Sequence, residues 1–201
     1  PVALRLRLEY APAQAVRRVE AVLGAGTCFY RGVPFLSARG TLTAEGRESW
    51  STLQVDQLAA ERPEGSARGS LLFDLQRHDL EFSASSTLEP RALCQVLGLF
   101  SGADWDAWKF GFPTEVTASG RYAAQPSAPP TAIEGKIRSP SAQWKGFRAR
   151  GAELEFTVQP DSFRIARAAG RAYGGALEAR AEFVWAARSP TRCVVWADLQ
   201  R

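Results

Sequence analysis

His78 is the single histidine of this 201-residue chain, and Asp74 and Asp79 lie close to it on either side. A histidine near two carboxylates has the makings of a proton shuttle or one arm of a metal site. A lone histidine in an acidic turn between two apolar runs is more simply a solvated surface feature, and that reading is preferred here. Asp104 and Asp106 flank Trp105, but that spacing in a loop does not establish the facing geometry a catalytic pair needs. Cys28, Cys94 and Cys193 are odd in number, far apart and free of C-x-x-C spacing, so neither zinc nor a redox pair is indicated. They read as three small buried hydrophobes, with one disulfide and a leftover thiol as the alternative. Gly24-Ala25-Gly26 follows an expected helix instead of opening one, which makes it a helix stop and turn, not a dinucleotide loop. Tyr173-Gly174-Gly175 reads as a bulge or tight bend between strands. No catalytic residue, metal site or cofactor is expected, and the chain is read as no enzyme.

Composition narrows the class further. Apolar residues make up 45% and charged residues 23%, which is globular and not disordered. The net charge of +4 is spread along the chain without the clustered basic patch and interleaved aromatics of a nucleic-acid surface, so no nucleic-acid partner is expected. Lys109, Lys136 and Lys145 are the only lysines among 25 cations, a bias that reflects a GC-rich genome before it reflects function. The chain contains no Met and begins at Pro1, and is expected to be a mature product or an excised piece of a longer protein. No apolar run approaches the roughly 20 residues that span a bilayer.

The elements that must position these residues are strands. Val2, Leu4, Leu6, Leu8 and Tyr10 alternate with Ala3, Arg5, Arg7 and Glu9, the period of a half-buried strand with one wet face. The same period recurs over Leu36–Ala44, Ala67–Leu75, Leu80–Ala84, Ile133–Arg138, Ala152–Val158 and Leu177–Trp185. Turn chemistry separates the runs at Arg62-Pro63-Glu64-Gly65, Gln125-Pro126-Ser127, Ser139-Pro140-Ser141, Gln159-Pro160-Asp161 and Ser189-Pro190. Strand, turn and strand in this order predict an antiparallel up-and-down meander.

Two stretches break the period. Pro12 followed by Val16, Val19 and Leu23, with Gly24 as a stop, predicts a short helix near 12–23. Pro90 followed by Leu93, Val96, Leu97 and Phe100 predicts another near 89–100. An x-Ala-x-Gly unit recurs at Leu36–Gly40, Gly65–Gly69, Val116–Gly120 and Phe147–Gly151, its last glycines 29, 51 and 31 residues apart. Spacing near 30 in two of the three gaps fits a repeated pair or trio of strands. Trp105, Trp108, Phe110 and Phe112 cluster beside Lys109. Rings beside a cation suit a membrane interface, with Trp105 and Trp108 as its candidates, but a cap on the end of a sheet is the simpler reading and is preferred. Trp144, Trp185 and Trp196 fall in strand patterns and read as packing residues.

Leu88-Glu89-Pro90, Leu93, Leu97-Gly98, Trp108–Pro113 and Val116–Gly120 together resemble the periplasmic portion of AsmA-like proteins, a superfamily that includes TamB relatives. Gly151–Leu154, Ile165 and Tyr173–Glu178 are similar to the strand unit of that superfamily, in which a Gly-Gly step precedes a long alternating strand. The resemblance covers about two thirds of the chain and rests on β alternation, with no catalytic signature to carry over. It implies a long, bent sheet, open along one side, with an apolar concave face. It also implies a periplasmic location on a cell envelope, an inner-membrane anchor outside this chain, and a part in passing phospholipid outward or in outer-membrane assembly.

Alternation and resemblance together predict one mainly β region over 1–201 with two short helices. Its groove face is expected to carry Phe73, Leu75, Leu80, Phe82, Ile133, Ile137, Leu154, Phe156, Ile165, Leu177 and Phe183, with a phospholipid or other acyl-chain lipid as partner. The alternative is a structural or adhesive β module that closes its core and binds other proteins at a cell surface.

Overall fold

Alternation at period two runs into strand after strand. The computed structural model describes residues 2–11, 16–47, 49–97, 108–123, 131–144, 146–186 and 189–200. Its strands are β1 (Val2–Ala11), β2 (Val16–Ala25), β3 (Cys28–Tyr30), β4 (Val33–Phe35), β5 (Ser37–Gly46), β6 (Trp50–Arg62), β7 (Gly65–Asp74) and β8 (Asp79–Ser86). After the helix α1 (Pro90–Leu97) come β9 (Trp108–Phe110), β10 (Glu115–Ala123), β11 (Ala132–Trp144), β12 (Phe147–Gln159), β13 (Ser162–Ala172), β14 (Gly175–Ala186) and β15 (Ser189–Gln200).

One antiparallel sheet of 13 strands takes nearly all of them, in the order β1-β2-β5-β6-β7-β8-β10-β11-β12-β13-β14-β15, with β9 added to β11. Every neighbour on that path is the next large strand in the chain, so the expected meander is what forms. At about 4.8 Å per inter-strand step, the two edge strands β1 and β15 lie about 53 Å apart along the sheet. The small β3–β4 hairpin stands apart from the sheet.

One of the two expected helices is a strand. Residues 16–25 form β2 and pair with β1 over its whole length, Leu8 opposite Val19, Leu6 opposite Ala21 and Leu4 opposite Leu23. Val16, Val19 and Leu23 fit a helical face, but Val19, Ala21 and Leu23 fit a strand face as well. Cross-strand pairing with Leu4, Leu6 and Leu8 decides between them. Gly24-Ala25-Gly26 is therefore the end of a strand, not of a helix. The second helix forms as α1, with Pro90 in the first turn, where its missing N–H costs nothing, and Leu93 N donating to Glu89 O at 3.1 Å.

Ser139-Pro140-Ser141 is not a turn, because β11 runs straight through it. On its outer side β10 pairs only as far as Arg138 and β9 begins at Ala142, so Pro140 occupies a seam where no ladder donor is needed. Buried Thr114 and Ser139 close that seam: their hydroxyls lie 2.9 Å apart, Thr114 donates to Gly111 O at 2.6 Å, and Ser139 donates to Ser141 O at 2.7 Å. Pro190 likewise falls within β15, at the start of an edge strand, a position proline tolerates. Gln125-Pro126-Ser127 lies outside the described residues.

The strands that break period two do so through bulges. β6 takes an extra residue between Val55 and Leu58, with Gln57 at φ 52. β13 takes one between Ile165 and Ala168. Each bulge bends its strand and brings the apolar residues beyond it back to the face of those before. The x-Ala-x-Gly units fall at the starts of β5, β7, β10 and β12, which all run in the same direction, so the repeat marks every second strand of part of the sheet.

The buried cluster is small: Val33, Phe35, Leu88 and Ala92, with Cys28, Ala60 and Ala67 against it. It lies where β4 and α1 cover the Ala60–Ala67 end of β6 and β7, and Leu88 at its centre is 1% exposed. Cys28 and Cys193 are free thiols. Cys28 is only half-buried, against the core cluster, and Cys193 is exposed on the edge strand, which corrects the expectation of burial there.

Candidate functional site

The acidic turn around His78 is built as a β7–β8 hairpin loop. Asp74 accepts the backbone N–H of Gln76 and of Arg77, each at 2.9 Å. The bond from Arg77 is the largest influence holding the Asp74 carboxyl below its ordinary value. His78 closes the loop with its own N–H to Asp74 O at 2.8 Å and with φ 56, and its ring Nδ1 lies 3.3 Å from Gln76 O. Asp79 is 5% exposed and faces Arg121, whose Nε is 3.6 Å from its carboxylate and which also pairs with Glu81. Each of the two aspartates thus has a structural partner. Among the described residues no three of His, Cys, Asp and Glu gather as a metal site.

Register partners share a face of a sheet, so the pairing gives each face its composition. One row crosses all twelve strands of the main path: Leu6, Ala21, Leu42, Val55, Leu71, Phe82, Gly120, Ile133, Val158, Phe163, Phe183 and Cys193. It contains no charged side chain. Phe73 pairs with Leu80, Ile137 with Leu154, Phe156 with Ile165, and Leu177 with Gly170 on the same face. All the expected groove residues therefore fall on one face, except Leu75, which lies beyond the end of β7 with its N–H on Ser51 O. The rings of Phe156, Phe163 and Phe183 stack in sequence, with centroids 5.9 and 6.0 Å apart.

The opposite face carries the charges. Lys136 donates to Glu155 at 2.9 Å and lies 3.8 Å from Glu153, Arg138 bonds Glu153 at 3.0 Å, and Arg167 reaches Glu153 and Glu178. The bond from Lys136 is the main reason that the Glu155 carboxyl is held below its ordinary value. A shallow open depression of about 690 Å³ lies against this polar side, bordered by Arg68, Ser85, Thr117, Ser119, Lys136 and Glu155. A second follows Gln54, Asp56, Glu81 and Arg121.

Of the membrane-interface candidates, Trp105 lies outside the described residues, and Trp108 is placed only by its backbone, opposite Trp144 in the β9–β11 pair. Trp196 is 55% exposed on edge strand β15, so it is not the packing residue its pattern suggested. Sequence reading passed over Phe29, Tyr30, Phe147 and Tyr173, exposed aromatics at hairpin tips and strand starts. The X-Gly dipeptides Arg31-Gly32 and Tyr173-Gly174 were the signal available, since that pattern marks a tight hairpin. No described helix is long and apolar enough to cross a membrane. Comparison with family models, with curated proteins and with solved structures finds no match to the chain.

Proposed function

We propose that this chain is a non-enzymatic cell-envelope protein whose apolar sheet face forms a groove that shields lipid acyl chains on their way between inner and outer membrane. The observation that carries the reading is the unbroken apolar row from Leu6 on β1 to Cys193 on β15. The helix α1 and the β3–β4 hairpin pack over one end of that face. A sheet with one apolar face needs a cover, and an acyl chain supplies one: each CH₂ taken from water gains about 0.8 kcal/mol. The ion-paired opposite face stays in water. The process is passive, with no bond made or broken. The resemblance to AsmA-like proteins supports the same reading and adds its location, the periplasmic side of the envelope, with an anchor in a segment outside this chain.

A second reading, a β module that binds other proteins, is favoured by the edges β1 and β15, each with a neighbour on one side only among the described residues, onto which a partner strand could add. Native mass spectrometry with lipid extraction, on the chain expressed in a Gram-negative host, separates the two. Near-stoichiometric phospholipid supports the groove. A folded, lipid-free monomer removes it and leaves the binding module.

A further inference from the structure

We propose that the corner of the sheet made by the start of β12 and the β13–β14 turn docks on the anionic surface of a phospholipid bilayer. Arg148, Arg150 and Arg171 are exposed there and form no ion pair among the described residues. The nearest acid along β12, Glu153, is already engaged by Arg138 at 3.0 Å and Lys136 at 3.8 Å. Arg150 and Arg171 are direct register partners. Like charges placed opposite each other destabilise a strand pair, and an anion lying across both relieves the repulsion.

Aromatic rings stand beside these cations. Phe147 and Tyr173 meet edge to face with centroids 5.8 Å apart, and Tyr173 is 67% exposed. Tyr173 has φ 50 and Gly174 φ 83, so both loop residues of the hairpin are left-handed. Asn-Gly is the unstrained choice for such a loop, yet a bulky ring is held at its first position. The β3–β4 tip, at the same end of the strands, repeats the chemistry: Phe29 is 74% exposed, and Arg31, with φ 50, stands 5.8 Å from the Tyr30 ring centre. Rings that prefer the headgroup layer, together with unpaired arginines, match a negatively charged leaflet in both polarity and sign. This docking does not depend on whether the apolar face carries acyl chains.

The test is co-sedimentation of the full chain with phosphatidylcholine vesicles with and without phosphatidylglycerol, with far-UV circular dichroism on every variant. The chain should pellet with the phosphatidylglycerol vesicles and be released by high salt. Arg150→Gln with Arg171→Gln should lower the partition coefficient roughly 25-fold, at about five-fold per arginine. Tyr173→Asn suits the left-handed turn and keeps the fold, yet should also weaken binding. No pelleting with anionic vesicles, equal pelleting with neutral ones, or unchanged pelleting of the folded variants would each overturn the proposal.

Discussion

The ring of Phe156 on β12 lies over Gly135, its register partner on β11. A Cβ added to Gly135 would fall inside van der Waals contact with two ring carbons and 2.9 Å from the backbone oxygen of Thr117. The glycine leaves room for the ring, and the ring covers a position that has no side chain of its own. From there the aromatic file continues through Phe163 to Phe183.

Gly135→Ala should therefore destabilise the sheet by about 1–3 kcal/mol, because Thr117 O is backbone and cannot swing aside. Thermal melting followed by circular dichroism reads the effect. A melting temperature equal to that of the parent would mean that the ring does not rest on this glycine.

Leu154 sits between Ile137 and Ala168, on the face that carries Phe156, and is half-buried. On an uncovered face a carboxylate at this position keeps its water, so Leu154→Glu should change stability by no more than about 1 kcal/mol while lipid loading is lost. In a closed core the same change costs several kcal/mol and unfolds the protein. Melting and extracted lipid, measured on one sample, separate these outcomes. Collapse of the fold would count against the groove.

Where alternation was strict, the fold was legible: β1, β5, β7, β12 and β14 all follow from period two in their own residues. β6 and β13 were missed because bulges near Gln57 and Ala166 break that period, and a bulge depends on the neighbouring strand as much as on its own sequence. β2 was misread because Val16, Val19 and Leu23 fit a helical face while Val19, Ala21 and Leu23 fit a strand face, and only the partners Leu4, Leu6 and Leu8 decide between them. The residues expected on a groove were legible as alternating positions, but that all of them except Leu75 share one face needs the registers. Arg121, the partner of Asp79, was invisible because 42 residues separate them and no local pattern joins them.

Acid should weaken the fold through Glu155 and Asp74. Both carboxyls are held below their ordinary values, 4.5 for Glu155 by the Lys136 hydrogen bond and 3.8 for Asp74 chiefly by the Arg77 N–H. A group whose folded value is depressed binds fewer protons folded than unfolded, so it stabilises above its unfolded value and loses that as pH falls through the folded one. Stability should hold down to about pH 5 and decline below it. Lys136→Met should blunt the decline, and salt should do so more weakly in the variant than in the parent, because the Lys136–Glu155 pair is partly exposed and therefore screened. Urea melts across the acid range decide it; superimposable acid limbs for parent and variant would refute the role of this pair.

Asp79 is the charged group at greatest risk when its neighbour is removed. It is buried at the β7–β8 turn, and the guanidinium of Arg121 on the next strand is its counter-charge. Arg121→Leu strands a buried carboxylate, whereas Asp79→Asn removes the charge that needs compensating and leaves Arg121 with Glu81. The first change should lower the melting temperature more than the second. Adding Asp79→Asn to Arg121→Leu should restore part of the loss, because the unpaired charge is then gone. Strictly additive effects in that cycle would mean that Asp79 is solvated in solution and that the pair contributes nothing to the fold.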